Sequence, residues 1–206
     1  MSQLRPCLAV TSALFVLCCF VYPGVVTVGA QTLFPTAANG SLVVHDGTLV
    51  GSALIGQSIA DWSAHPEYFW GRPSAASNDP ATGITYSSGS NYGPMNATLL
   101  EEVKSRVAIL RTWGVNKPIP ADLVTKSASG LDPHLSPASI ALQVPRIARV
   151  RNISEAKVSK LIAARTEQSS FGFVGEPRVN VLLLNLDLDE QAPYAGKPAA
   201  RSMPAH

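Results

Sequence analysis

Ser154 and Lys157 come closer to a catalytic pair, in type and spacing, than other residues of this sequence. They form the loose S-x-x-K pattern, in which a lysine amine takes the proton of a serine hydroxyl and makes the serine a nucleophile. The S-x-N and K-T-G elements that accompany this pattern in acyl-transfer enzymes are missing. Ser154 also stands where an N-cap would precede a helix. Two interpretations therefore remain, a helix cap and the nucleophile of a serine hydrolase.

Other common catalytic and metal-binding patterns are absent from the sequence. It has neither a glycine-rich phosphate loop ending in Lys-Ser or Lys-Thr nor an Asp-Lys-Thr-Gly phosphorylation motif. The four histidines, His45, His65, His134 and His206, are not spaced as paired ligands. We interpret His134, close to Asp132, as a loop residue that bonds the backbone. The sequence therefore predicts no metal site and no catalytic residue outside the Ser154 pattern.

Six basic residues recur through the segment 146–165 and predict a basic face. Most such faces are solvated, although this one could contact lipid headgroups or an acidic partner. The chain has 206 residues and a net charge of only +2, a balance that argues against nucleic-acid binding. The residues of the predicted face are Arg146, Arg149, Arg151, Lys157, Lys160 and Arg165.

The segment 7–35 contains no charged residue and is long enough to cross a membrane. A span needs about 20 apolar residues, whereas the apolar core of a secretory signal usually has about 7 to 15. Val28-Gly29-Ala30 before Gln31 resembles a cleavage site, so an anchor and a signal peptide are both open. Arg5 precedes the span and the next charged residue is Asp46. The positive-inside rule then places residues 1–6 in the cytoplasm.

The remaining chain predicts one α+β domain, with helices packed on a small β-sheet, over residues 31–190. Asp46-Gly47 predicts a hairpin turn, and 74–94 is interpreted as a loop. Helices are predicted after the caps Asn96, Ser136 and Ser154, with a kink or a break at Pro145. The apolar run 179–186 predicts a buried strand. Residues 191–206, rich in Pro and Ala, predict a disordered tail.

The aromatic group before this loop ends in Tyr68-Phe69-Trp70-Gly71-Arg72. Arg72 could stack on the ring of Trp70, or the aromatic residues could seal a loop onto the core. Within the loop, Ser88-Gly89-Ser90-Asn91 could line a polar site, face a partner, or bond only to itself. These alternatives stay open on the sequence alone.

Several long blocks resemble the KdpC family, the C subunits of the bacterial Kdp potassium-pumping ATPase. They cover most of the chain from Tyr22 to Asp189 in the family's order, and one departure is Ser88, where the family often has a second glycine. The resembling blocks are FPTAANGSLV, GSALIGQ, YFWGRPSAAS, GSNYGP, SASGLDPHLSPASIALQVPRIARVR and GFVGEPRVNVLLLNLDLD.

The resemblance implies a retained transmembrane helix, here 7–30, in the cytoplasmic membrane, followed by a domain outside the cytoplasm. It also implies a non-catalytic accessory subunit that assists assembly with a channel-like potassium-translocating subunit and an ATP-hydrolysing subunit, in contact with membrane lipid. ATP and potassium would act through the complex, with no cofactor bound by this chain itself. The family is further described as a catalytic chaperone that raises ATP affinity.

Gln143 in ALQVPR is the residue to which the resemblance assigns a nucleotide contact, and Arg146 is taken with it as a nucleotide or partner contact. ATP is cytoplasmic, whereas the predicted topology places Gln143 outside. We therefore expect the effect on ATP affinity to pass through the membrane helices as a shift in a conformational equilibrium. The alternative function is a membrane-anchored extracytoplasmic serine hydrolase that uses Ser154.

Overall fold

The computed structural model describes residues 3–57, 62–79, 81–169 and 172–194. The chain divides into two compact units, residues 1–43 and 44–206. The predicted disordered tail lies outside the described residues beyond Tyr194.

The first unit is dominated by a 30-residue apolar helix, Leu4–Leu33, that is long enough to cross a membrane. It consists of α1 (Leu4–Val16), a π-helical turn (Leu17–Val21) and α2 (Tyr22–Leu33), followed by the short α3 (Pro35–Ala38). Pro23 accounts for the π-helical turn, because a proline ring clashes with the carbonyl four residues earlier and widening the helix relieves that clash. The predicted apolar N-terminal helix is thus confirmed.

The second unit combines short strands with six helices among its described residues. Asp46 and Gly47 have φ angles of +49° and +74°, which confirms the predicted hairpin turn. The strands are β1 (Leu42–His45), whose first two residues are assigned to the first unit, β2 (Thr48–Ser52), β3 (Ser77–Asn78), β4 (Thr85–Tyr86), β5 (His134–Leu135), β6 (Thr166–Glu167) and β7 (Arg178–Asn180). The helices are α4 (Ala97–Thr112), α5 (Ala121–Val124), α6 (Pro137–Ala141), α7 (Val144–Arg151), α8 (Glu155–Arg165) and α9 (Val181–Gln191).

The three predicted helix caps are confirmed. The side chain of Asn96 accepts from the backbone N–H of Thr98, that of Ser136 from Ser139, and that of Ser154 from Lys157. Pro145 separates α6 from α7 as expected, since it begins a new helix instead of continuing the old one.

The predicted strand over 179–186 is wrong beyond Asn180. Strand β7 ends there, and the Asn180 side chain caps α9 by accepting from the N–H of Leu183. The residues buried by α9 include Val181, Leu184 and Leu188, at helical spacing. A short apolar run does not distinguish a buried strand from a buried helix, and here the cap favours the helix.

The segment predicted as a loop contains β3 and β4, which pair antiparallel with Ser77 opposite Tyr86. The sheet at the core has the order β5-β7-β6, and both of its strand pairs are antiparallel. Side chains of α6, α7, α8 and α9 supply buried residues such as Ile140, Ile147, Val158 and Leu184. The α+β fold class is therefore confirmed.

Candidate functional site

The aromatic segment, residues 66–70, lies in the core although it belongs to no helix or strand. Phe69 and Trp70 are fully buried, and the Trp62 ring stacks on Trp70 with centroids 5.0 Å apart. A buried backbone outside secondary structure needs hydrogen-bond partners from elsewhere. Side chains of α7, of the residue before it and of α9 supply them.

Two amide side chains pair with the backbone of adjacent aromatic residues. Gln143, immediately before α7, accepts from the N–H of Trp70 at 2.9 Å and donates to its carbonyl at 3.1 Å. Asn185, on α9, accepts from the N–H of Phe69 at 2.8 Å and donates to its carbonyl at 3.0 Å. Each side chain thus imitates the pairing of a neighbouring strand.

Two arginines of α7 satisfy the preceding carbonyls. Arg146 donates through Nη1 to the carbonyls of Pro66 and Tyr68, the latter at 2.9 Å. Arg151 donates through Nε to the carbonyl of Glu67 at 2.8 Å. All five carbonyls from Pro66 to Trp70 therefore accept from side chains distant in sequence.

Burial dominates the electrostatics of the site. It lowers the pKa of Arg146 to about 9, although the negative charge of Glu67 acts to raise that pKa. The guanidinium therefore remains charged at neutral pH. Arg151 pairs with Asp189 at 2.6 Å, and the Tyr68 hydroxyl donates to the same carboxylate at 3.0 Å. Burial, followed by the charge of Asp189, raises the pKa of Tyr68 above its ordinary value.

The structure brings the two predicted site residues together. Arg146 Nη2 donates to Gln143 Oε1 at 2.7 Å, and the two residues are 3% and 1% exposed. Gln143 Oε1 accepts two hydrogen bonds, while Nε2 donates to Trp70 and, at 3.5 Å, to the carbonyl of Ser139. A nucleotide contact at Gln143 stays a prediction, and it would require these bonds to open.

The predicted basic face is wrong for Arg146 and Arg151, which point into the core. Arg165 is partly neutralised by Asp187, with an Nη2 to Oδ1 distance of 2.6 Å. Arg149, Lys157 and Lys160 remain exposed. An arginine buried to satisfy backbone carbonyls has the same sequence signature as a solvated one, because only long-range packing separates the two.

The structure assigns a capping role to the hydroxyl of the hydrolase pattern. Ser154 Oγ accepts from the backbone N–H of Lys157 at 3.2 Å. The amine of Lys157 donates to the carbonyl of Gln191 at 2.5 Å. Each group therefore has a structural hydrogen bond of its own.

The remaining candidates also have structural partners. Arg72 pairs with Asp132 at 3.0 Å, and it is Arg146 that lies over the Trp70 ring. The interpretation of His134 as a loop residue is wrong, because His134 lies in strand β5, where its backbone N–H donates to the Asp132 carboxylate at 3.0 Å. Among the residues that the structure describes, His, Cys, Asp and Glu form no group of three or more that could hold a metal ion.

The polar loop 88–91 packs closely on a neighbouring loop. The hydroxyl of Ser88 donates to the carbonyl of Gly89, and Ser87 donates to the carbonyl of Ser129 at 2.8 Å. A Cβ at Gly89 would lie 2.7 Å from the Ala128 carbonyl oxygen, so glycine permits this approach. The loop thus bonds to itself through Ser88 and packs on Ala128, while the preceding Ser87 bonds to Ser129.

Sequence reasoning did not identify Asn185, Arg151 or Asp189 as parts of this site. Asn185 carried a usable signal, because it is polar among leucines at the helical spacing of the buried face of α9. A polar residue in that position needs a specific buried partner. Its partner, Phe69, is 116 residues away and has no local signature.

Comparison with known proteins gives a consistent family. Residues 4–190 match the family model of KdpC, described as the c chain of K+-transporting ATPase. A potassium-transporting ATPase KdpC subunit from Gemmatimonas aurantiaca is 50% identical over 204 residues, covering 98% of this chain and 99% of the relative. Subunits of the same name from Burkholderia ambifaria and Sorangium cellulosum are each 51% identical, covering 90% and 92% of this chain and 95% and 98% of the relatives. The chain therefore belongs to the KdpC family, the c chains of K+-transporting ATPase.

Proposed function

We propose that this chain is a non-hydrolysing accessory subunit of an ATP-driven, high-affinity potassium uptake pump. It assists assembly with a channel-like potassium-translocating subunit and an ATP-hydrolysing subunit, which handle potassium and ATP, and it binds no cofactor of its own. The observation that carries the proposal is the family match over residues 4–190, which includes both the apolar helix and the domain.

The proposed topology is a single span in the cytoplasmic membrane with the domain outside the cytoplasm. Arg5 lies at the start of the apolar helix, and after it no charged residue occurs before Asp46. This asymmetry favours a cytoplasmic N-terminus. The long helix supports an anchor that remains, because a secretory signal core is usually only about 7 to 15 residues long.

We further propose that the chain raises the ATP affinity of the ATP-hydrolysing subunit by shifting its conformational equilibrium across the membrane. Gln143 is buried and uses both donors and both acceptor positions of its amide within the domain. That saturation favours an indirect effect over a direct nucleotide contact. A subunit can shift such an equilibrium only if it binds one state of its partner more tightly than the other.

A pull-down through a C-terminal tag tests the assembly proposal. The tagged chain is extracted in mild detergent from potassium-starved native membranes, and the co-purifying proteins are identified. Two large membrane subunits with ATPase activity are expected. Recovery of the chain alone, shortened to begin at Gln31, would instead identify the N-terminal helix as a signal peptide and overturn the anchor.

Thiol labelling in intact cells tests the topology. All three cysteines, Cys7, Cys18 and Cys19, lie in the apolar helix, so a Met95→Cys variant introduces a single thiol in the domain. Met95 is 89% exposed and accessible to a reagent. A membrane-impermeant maleimide should label this variant, but not the unmodified chain, without permeabilisation. Labelling only after permeabilisation would place the domain in the cytoplasm.

A further inference from the structure

The π-helical turn lies at the centre of the apolar helix. Thirteen helical residues precede Leu17–Val21 and twelve follow it. At a rise of about 1.5 Å per residue, the turn is roughly 20 Å from either end, near the mid-plane of a hydrocarbon core about 30 Å thick. Polar backbone groups at this depth have no water to bond.

The carbonyl of Cys18 has no backbone donor in this geometry. In α and π helices, the donors that reach the carbonyl of residue i belong to residues i+4 and i+5. For Cys18 these are Tyr22, whose N–H donates to the carbonyl of Leu17, and Pro23, which has no N–H. The turn and Pro23 together therefore leave the Cys18 carbonyl without a helical donor at mid-membrane depth.

The helix does not satisfy this acceptor with a side chain of its own. Near its C-terminal end Thr32 donates to the carbonyl of Val28, four residues earlier, at 2.8 Å. Four residues after Cys18 the chain has Tyr22, whose hydroxyl is too far from the backbone for such a bond. Among the hydrogen bonds of the described side chains, none ends at the Cys18 carbonyl. This part of the helix is also exposed.

We infer that the Cys18 carbonyl is a docking point for a membrane helix of a partner subunit in the proposed pump, which donates a hydroxyl or side-chain amide hydrogen bond to it. The inference rests on the proposed function, since it names a contact within that assembly. An unsatisfied carbonyl is costly in hydrocarbon, and membrane helices associate partly through such polar bonds because lipid competes poorly for them. The occupant is therefore a polar donor on a neighbouring span, and lipid acyl chains cannot replace it.

The sequence allows this carbonyl to be observed alone. Cys18–Cys19 is the only Cys-Cys peptide bond, so a chain labelled with [1-13C,15N]cysteine has one directly bonded 13C–15N pair, at the Cys18 carbonyl. The labelled chain is assembled with unlabelled partner subunits, and its solid-state NMR spectrum in bilayers is compared with that of the chain alone. We expect the carbonyl resonance to move downfield on assembly, because accepting a hydrogen bond deshields the carbonyl carbon.

An unchanged resonance in a complex that has assembled would overturn the inference and leave the proposed function intact. A carbonyl resonance that is already downfield in the isolated chain would also overturn the inference, because it would mean that water or the helix itself donates to the carbonyl. If the labelled chain does not assemble with pump subunits, both the proposed function and the inferred docking point are wrong.

A proline exchange provides the matched test. Pro23→Ala supplies the missing N–H, so the helix can close its own bonds and the docking acceptor is lost. Retention of this variant in the complex should fall roughly threefold to tenfold, the range set by measured interhelical hydrogen bonds. Pro6→Ala makes the same exchange in the first turn of α1, where a backbone N–H has no helical partner, and should not change retention. Equal retention of the two variants would contradict the inference.

Discussion

The guanidinium carbon of Arg146 lies 3.6 Å from the centroid of the Trp70 ring, while the same guanidinium donates to the Tyr68 carbonyl at 2.9 Å. One buried cation thus covers the face of an aromatic side chain and fixes the backbone beside it. The planar, delocalised guanidinium can do both, whereas a lysine ammonium is a compact point charge.

Arg146→Ala should destabilise the domain by about 3 kcal/mol, because two buried carbonyls lose their donor and the cation–π contact is lost. Chemical denaturation of the purified chain in detergent, followed by tryptophan fluorescence, measures this loss. Arg149→Ala is the control on the same helix, since Arg149 is exposed and lies 5.7 Å from the Trp113 ring. Equal losses for the two variants would show that burial of Arg146 contributes nothing specific.

Gln143→Ala and Asn185→Ala should lower stability by similar amounts, about 1 to 3 kcal/mol, because each leaves one aromatic backbone unit unpaired. If Gln143 acts through the fold, both variants change the ATP dependence of the reconstituted pump to the same extent. ATPase titrations with each variant measure this. A rise in ATP requirement for Gln143→Ala alone would instead support a direct nucleotide contact.

Ser154→Ala should cost about 1 kcal/mol through loss of the α8 cap, whereas Ser154→Asn should restore stability because asparagine is also a good cap. Neither substitution should alter pump activity. Thermal unfolding and potassium-stimulated ATPase activity are measured in parallel. If Ser154→Asn, in which the helix remains capped, loses activity as Ser154→Ala does, the result would support the hydrolase interpretation.

Stability should fall on acidification through the titration of His134. Burial, followed by repulsion from Arg178, lowers its pKa below the ordinary value of 6.5, although Glu167 and Asp132 oppose the shift. The unfolded chain therefore binds this proton first, so the contribution is present above pH 6.5 and is lost as the pH falls toward the folded pKa. Denaturation midpoints across pH 5 to 8 should show a shallower slope for His134→Gln, and an unchanged slope would exclude His134 as the source.

Gly130→Ala should cost more than Gly83→Ala, although their φ angles are +71° and +68°. Both variants incur the left-handed strain of about 1 to 2 kcal/mol. At Gly130 the new Cβ would also lie 2.7 Å from the Ser88 carbonyl oxygen, whereas at Gly83 nothing lies within 4 Å. We expect a further loss of roughly 1 to 3 kcal/mol from that clash, measured by denaturation. Equal losses of stability for the two variants would mean that the segments around Gly130 and Ser88 move apart with little loss of free energy.

The features predicted correctly from the sequence are local ones. A turn or a helix cap depends on a few adjacent residues, and the residue types at those positions favour one local backbone geometry. This holds for the turn at Asp46-Gly47 and for the caps at Asn96, Ser136 and Ser154. The apolar run after Val179 was predicted wrongly because leucines on adjacent positions fit a buried strand and a buried helix equally.

The candidate site was predicted only in part. Gln143 and Arg146 were named through a family resemblance, and the bonds that hold them connect α7 to a segment more than 70 residues earlier. The sequence did not distinguish Arg146 and Arg151 from the solvated Arg149. Long-range packing makes that distinction, and neither composition nor spacing records it.

In the aromatic segment, two backbone amides outside any helix or strand are held by buried hydrogen bonds, so we expect them to be protected from hydrogen exchange. The N–H groups of Phe69 and Trp70 donate to the side chains of Asn185 and Gln143, so their hydrogen exchange requires α7 and α9 to move away from the segment. These two amides should therefore exchange as slowly as the centres of the core helices, although a secondary-structure map would mark them as coil. In an exchange experiment they become reporters of whether the whole domain is closed.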